Sequence, residues 1–234
     1  MVALFDDETV QELRRIFDGL RRNLVDLLIV DSVSNPGSSG NCGTCPEALQ
    51  LAREIESISN GKVSFHVLDS SEARSIRPRY LPAFVYDTRK RNIRYYGLPS
   101  GQEFAPFIYV HEHLSEGVKL PKNIQEEIEV VETPMHIKVF VTPECPYCPI
   151  VVDFFNQAGI INENLLVEAI EAFEHPYEAD SYNVQYVPYV AINRIEDYNV
   201  YGAKPIVTIP GYAPIEELIE ALKLAEKKIR KTER

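Results

Sequence analysis

Apolar and polar positions along this chain follow two rhythms, one helical and one strand-like. Val10, Leu13, Ile16, Phe17 and Leu20 recur at helical spacing and predict an amphipathic helix over residues 8–20. Leu24–Val30 is an apolar run broken only by Asp26, which reads as a buried strand. Residues 31–41 are rich in Ser, Gly, Asn and Pro, a loop composition. This loop delivers the chain to Cys42-Gly43-Thr44-Cys45-Pro46. Leu49, Ala52, Ile55 and Ile58 then mark one face of a helix reaching Ser59, which Asn60-Gly61 stops. Residues 63–68 alternate as a strand, and short strands are predicted at 83–86 and Ile93–Tyr96 around a polar turn. A helix over 102–114 closes this half.

The connector, residues 115–134, carries a helical stretch around 123–129, and then the order repeats. Residues 136–141 predict a strand, and Thr142-Pro143-Glu144 lead to Cys145-Pro146-Tyr147-Cys148-Pro149. A helix follows to Ala158, ending at Gly159. Strands are predicted at 166–170, 188–192 and 200–201, a short helix at 177–182, and an amphipathic helix at 215–229. The spacing of landmarks tests the repeat. Cys42 and Cys145 lie 103 positions apart, Pro82 and Pro188 lie 106 apart, and Gly97 and Gly202 lie 105 apart. The expected organisation is therefore an α/β chain of two tandem units, 1–120 and 121–234, the first with an added N-terminal helix and an edge strand.

Composition narrows the function classes. With 234 residues, 45% hydrophobic and 25% charged, the chain is that of a globular protein long enough for two domains. A net charge of -11 leaves no basic surplus to neutralise phosphates, which excludes nucleic acid as an expected partner. Arg89-Lys90-Arg91 reads as a turn, and the lysines from 227 to 231 as a solvated helix end. The apolar runs are of strand length, too short to span a membrane. Residues 1–11 lack a basic segment followed by an apolar one, so no signal peptide is expected and the expected location is cytoplasmic. Two methionines, no tryptophan and charge-rich helices fit a thermophile.

In a reducing compartment, paired cysteines serve catalysis or metal binding more than structure. Each pair here sits where a loop leaving a strand turns into a helix, which places the first cysteine, Cys42 or Cys145, in the N-cap region. Unpaired backbone N–H groups and the positive end of the helix dipole stabilise a thiolate there. The second cysteine lies one turn on and can reach back to close the ring. Proline is tolerated only in the first helical turn, so Pro46 and Pro149 fix both pairs there. Pro146 pre-sets the second helix start better than Gly43 does the first, so Cys145 is expected to be the more acidic thiol. A four-cysteine zinc site is the alternative, but 100 positions separate Cys45 from Cys145, against roughly 15–20 in common zinc modules. His111 and His113, two positions apart on a helix, are expected on different sides at the surface.

Cys-x-x-Cys at a helix start, followed later by an apolar residue and a proline opening a strand, resembles the thioredoxin fold. Two such units resemble the protein disulfide oxidoreductases of thermophiles, relatives of glutaredoxin and protein disulfide isomerase, and the Cys-Pro-Tyr-Cys form is shared with glutaredoxins. The resemblance implies two thioredoxin-fold units, each a central mixed sheet flanked by helices, exchanging protein disulfides through Cys42, Cys45, Cys145 and Cys148. It implies that Pro82 and Pro188 are cis and that substrate backbone pairs beside them, at Leu81 and Val187, with Tyr147 exposed between the sulfurs. No bound cofactor is expected, and the implied partner is an external NADPH-dependent flavoprotein resembling thioredoxin reductase. The sequence departs from thioredoxins at Val139, where they keep a buried carboxylate. Glu144 and Glu171, or Asp26 and Asp31 in the first unit, are the candidate replacements. A glutathione-dependent glutaredoxin is a further alternative, although residues 142–149 offer no cationic clamp.

Overall fold

The computed structural model describes residues 4–31 and 42–232. The predicted loop over 31–41 lies outside the described residues except for Asp31. The first half comprises α1 (Asp7–Gly19), β1 (Leu24–Val30), α2 (Cys45–Ile58), β2 (Val63–Asp69), β3 (Ala83–Val85), β4 (Ile93–Tyr96) and α3 (Phe104–Glu116). The second comprises α4 (Lys122–Glu129), β5 (Met135–Val141), α5 (Cys148–Ile161), β6 (Leu165–Glu171), α6 (Pro176–Ser181), β7 (Tyr189–Arg194), β8 (Val207–Pro210) and α7 (Ile215–Thr232).

All eight strands form one sheet in the order β2-β1-β3-β4-β6-β5-β7-β8. Each half contributes the same arrangement: a parallel pair made by a strand–helix–strand crossover, then two antiparallel strands. The halves join where β4 pairs in parallel with β6, Ile93 opposite Val167 and Tyr96 opposite Ile170. Strand alternation sends Ile93, Ile137, Val139 and Val167 to one face, where they pack with Phe107 of α3, Phe155 of α5 and Leu222 of α7. The other face carries Val85, Tyr96, Phe140 and Ile170, covered by α6 and the loops before β3 and β7.

Several boundaries differ from the sequence reading, each for a local reason. The helix expected to end at Gly159 continues to Ile161, where Asn162 caps it and its side-chain amide donates to Ile128 O and Val131 O, both at 2.8 Å. Gly159 serves packing instead: a Cβ there would stand 2.8 Å from Ile93 Cγ1 across the junction of the halves. Residues 200–201 are not a strand: they follow a 3-10 helix, Ile195–Asn199, in a turn, and the eighth strand forms at Val207–Pro210. Gly202 is therefore not the counterpart of Gly97. Gly211 is, since the Gly97 N–H donates to Pro82 O at 3.0 Å and the Gly211 N–H to Pro188 O at 2.8 Å, both at positive φ. No additional edge strand extends the first half among the described residues. Both His111 and His113 are buried rather than surface residues, because each has an acid to meet: His111 Nε2 lies 2.9 Å from Asp26 and His113 Nε2 2.8 Å from Asp153.

Buried polar groups cross the junction. Asn92, before β4, donates to Gly159 O and Leu165 O at 2.9 Å each. Glu168 on β6 is fully buried and gathers Arg94 (3.4 Å), the Tyr96 hydroxyl (2.9 Å) and His136 Nε2 (2.7 Å). Arg94 also donates to the Tyr198 hydroxyl at 2.6 Å, which in turn donates to Arg77 O at 2.7 Å. Burial opposes ionisation of Glu168, yet the bond from His136 and the charges of Arg94 and Lys138 hold its carboxyl down at about 2. A folded-state value below the unfolded one, 4.5, means that the ionised group stabilises the fold above pH 4.5 and loses that effect as pH falls toward 2. Glu168→Gln should therefore cost about 3 kcal/mol at pH 7, measured by urea unfolding. The gap to the parent chain should shrink by pH 3. An equal gap at both pH values would contradict this role for the carboxylate.

Candidate active site

Both cysteine pairs are closed disulfides at the C-terminal ends of equivalent strands. The Cys42–Cys45 Cα atoms lie 5.4 Å apart and those of Cys145–Cys148 5.5 Å apart. In each pair the second cysteine is the first helical residue and the next residue is proline, Pro46 or Pro149. The caps are Thr44 and Tyr147, so Cys42 and Cys145 sit two residues ahead of the N-cap rather than on it. In the first ring the Cys45 N–H donates to Cys42 O, and in the loop ahead of the second ring the Cys145 N–H donates to Thr142 O. The helix end still acts on the sulfur: the backbone N–H of Cys148 donates to Cys145 Sγ at 3.1 Å. A donor aimed at that sulfur favours its thiolate over its thiol. Cys45, Cys145 and Cys148 are all buried, Cys148 completely, and Cys42 is partly exposed.

A cis proline precedes a strand in each half, Leu81–Pro82 before β3 and Val187–Pro188 before β7, and those strands neighbour β1 and β5, which lead to the pairs. Leu81 lines the cleft that holds Cys42. Tyr147 is 56% exposed, and its ring lies 5.4 Å from that of Tyr212 in the turn after β8.

The first pair opens on a cleft of about 630 Å³ to which both halves contribute. Asp31, Gly43, Thr44, Arg79, Tyr80 and Leu81 come from the first half, and Glu174, His175 and Tyr177 from the second. Thr44, between the two cysteines, donates its hydroxyl to Glu174, and the other Glu174 oxygen accepts the Leu98 N–H at 2.7 Å. Burial pushes His175 down to about 4, so it is neutral at physiological pH. The exchange is mutual. Gln102 of the first half donates its N–H to Pro143 O at 2.8 Å, two residues ahead of Cys145.

The candidate acid–base groups differ in their surroundings. Val139 is buried among apolar neighbours. Asp26 is fully buried but is held by His111 and by the Asp87 N–H at 2.8 Å. Asp31 accepts from the Ser70 hydroxyl at 2.6 Å, and Glu144 is exposed. Glu171 is buried, which pushes its carboxyl up, while the Phe173 and Glu174 N–H groups bond it. The group missed in the sequence is Glu103. It is fully buried, neither carboxylate oxygen has a hydrogen-bond partner, and burial together with nearby Glu171 pushes it up to about 8. It closes the Gly101–Glu103 turn, which packs against α5, the helix that begins at Cys148. In sequence an acid at a helix start reads as an ordinary cap, which hid it. Among the described residues, no group of three or more His, Cys, Asp and Glu is placed to hold a metal.

Comparison with known proteins fits this geometry. The thioredoxin domain family matches residues 135–209, the part of the second half that contains Cys145, Cys148 and Pro188. A protein disulfide oxidoreductase from Aeropyrum pernix superposes with a TM-score of 0.80 over 97% of this chain and 96% of its own, at 23% identity. The fold is a double thioredoxin fold. The NTD_N/C domain of the alkylhydroperoxide reductase AhpF from Enterococcus faecalis gives a TM-score of 0.76 at 22% identity, over 93% of this chain and 99% of its own. In sequence, the alkyl hydroperoxide reductase AhpF of Staphylococcus epidermidis is 29% identical over 74% of this chain and 32% of its own length. A Bacillus subtilis protein named NADH dehydrogenase is 23% identical over 71% and 31%. The chain thus spans about a third of the length of these curated relatives.

Glu103 makes stability depend on pH in the opposite direction to Glu168. Its folded value of about 8 exceeds the unfolded 4.5, so the fold keeps a proton that the unfolded chain releases, and stability falls as pH rises from 4.5 to 8. Glu103→Gln, neutral throughout, should gain on the parent by more than ~1 kcal/mol between pH 5 and pH 8 in urea unfolding. A constant difference would show that the carboxyl ionises normally.

Proposed function

We propose that the chain is a thiol–disulfide oxidoreductase that exchanges disulfides with protein substrates at both pairs. The observation that carries this is the repeated one: a Cys-x-x-Cys ring at a helix start beside a proline that opens a strand, twice in one sheet. In the reducing direction, the Cys145 thiolate attacks a substrate disulfide, forms a mixed disulfide and releases one substrate thiolate. The Cys148 thiolate then attacks Cys145 Sγ, re-forms the ring and releases the second substrate thiol. Cys42 and Cys45 act in the same order. Substrate backbone lies along Leu81–Pro82 and Val187–Pro188, and Tyr147 with Tyr212 forms an aromatic wall beside Cys145. Glu103, poised near neutral pH beneath α5, is the group that takes the proton Cys148 loses before it attacks.

The working unit comprises residues 1–120 and 121–234, one pair in each. The reductant is an external flavoprotein drawing on NADPH, in keeping with the reductase named among the longer relatives, and the setting is the cytoplasm of a thermophile. Of the two sites, Cys145 is the more acidic and carries most turnover, because it receives the Cys148 N–H and follows a short loop.

Reduction of insulin by dithiothreitol, followed by turbidity, tests the reading. Cys145→Ser should remove most acceleration and Cys42→Ser only part, whereas Cys148→Ser should accumulate mixed disulfides on Cys145. Absence of acceleration by the metal-free parent chain would sink the proposal. Greater damage from Cys42→Ser would reverse the ranking of the sites. Glu103→Gln should slow ring closure at pH 7 at least several-fold while leaving the first attack intact, read as trapped mixed disulfide. Equal rates for both steps in parent and variant would remove Glu103 from the mechanism.

A further inference from the structure

The cleft at the first pair is built with a charge that the first half does not supply. Glu174 belongs to the turn after β6, in the second half, yet its carboxylate is fastened at both ends to the first. One oxygen takes the Thr44 hydroxyl and the other the Leu98 N–H at 2.7 Å. Gly97 leaves the room for it: a Cβ there would stand 2.7 Å from Glu171 Cβ and 3.1 Å from a Glu174 oxygen. Thr44 lies between Cys42 and Cys45, so the acceptor is held against the ring that must open and close.

We propose that Glu174 is a positioning residue by which the second half restrains the reactivity of Cys42 in the first; this rests on the redox function assigned above. Every charged group facing Cys42 bears on the sign. Asp31 just after β1 adds a second carboxylate to the cleft. Arg79 is its cation, but that guanidinium is engaged elsewhere, donating to Tyr198 O at 2.7 Å and facing the Glu178 carboxylate at 3.7 Å. His175 is neutral, Tyr80 and Tyr177 contribute phenol rings, and Glu47 in the first turn of α2 is exposed and acidic. The balance around the ring is negative. By accepting the Thr44 hydroxyl, Glu174 also turns that donor away from the sulfur. A thiolate at Cys42 is therefore opposed by charge and deprived of a neighbouring donor, working against the helix dipole. Opposing the thiolate disfavours the reduced pair, so Glu174 biases the Cys42–Cys45 site toward its disulfide.

The test uses the full chain with one thiol, C45S/C145S/C148S, in which iodoacetamide can label only Cys42. Alkylation rate against pH gives the Cys42 midpoint in this chain and in the same chain carrying Glu174→Gln or Glu174→Asp. Glu174→Gln keeps an acceptor for Thr44 and removes the charge. It should lower the midpoint by about 0.5–1 pH unit and raise the rate at pH 7 about three- to ten-fold. Glu174→Asp keeps the charge and should stay near the parent. In chains retaining Cys42 and Cys45 but carrying C145S/C148S, Glu174→Gln should also let a several-fold weaker dithiothreitol ratio reduce the ring. An unchanged midpoint in Glu174→Gln, or an equal shift in Glu174→Asp, overturns the proposal. Cys42 failing to alkylate below pH 9 in every chain would instead remove the first pair from the function proposed above.

Discussion

The parallel pairing of β4 with β6 is the constraint on which the rest of the molecule depends. Each half alone would leave a strand edge with unpaired backbone groups, a surface that invites association with other chains. Joined edge to edge, β4 and β6 become interior strands of a single eight-stranded sheet. Interior strands must then be covered on both faces, and β4 is buried at all four residues. On one face Ile93 packs against Gly159, where only a glycine fits. On the other, Arg94 and Tyr96 are buried polar groups whose partner, Glu168, comes from across the seam. Such a network does little for net stability compared with an apolar core, but it strongly penalises any register in which the partners do not meet.

The same joint determines the chemistry. Because the halves are side by side with equivalent strand ends pointing the same way, each cysteine pair lies within reach of the other half's loops. The first receives Glu174, His175 and Tyr177 from the second half, and the loop before the second pair receives Gln102 and lies near Glu103 from the first. Each pair thus has neighbours from both halves. Two copies of one fold have thereby become two chemically different sites. One has an acidic cleft, and the other has Tyr147 and Tyr212 as an aromatic pair beside it.

The sequence disclosed the elements that announce themselves locally. Amphipathic spacing located α1, α2 and α7, and short, mostly apolar runs located β1 and β5. The two Cys-x-x-Cys-Pro segments and the Leu-Pro and Val-Pro strand starts were readable because their chemistry requires adjacent residues. Features that depend on the partner half were not readable. Gly159 looks like a helix stop until Ile93 is seen against it, and Gly202 fits a repeat spacing that β8, displaced by the 3-10 turn, does not keep. His111 and His113 look like surface residues until Asp26 and Asp153 are found opposite. Glu103 and Glu174 carry no local mark at all, since their significance arises only from what the fold sets beside them.

Redox titration of the intact chain in graded dithiothreitol buffers, with alkylation and mass mapping of both pairs, tests the account most directly. It predicts that Cys42–Cys45 and Cys145–Cys148 each pass reversibly and completely between dithiol and disulfide, with separate midpoints in the range of about −270 to −120 mV spanned by dithiol oxidoreductases. A pair that stays oxidised at the most reducing buffer, or that cannot be re-oxidised once opened, would contradict it.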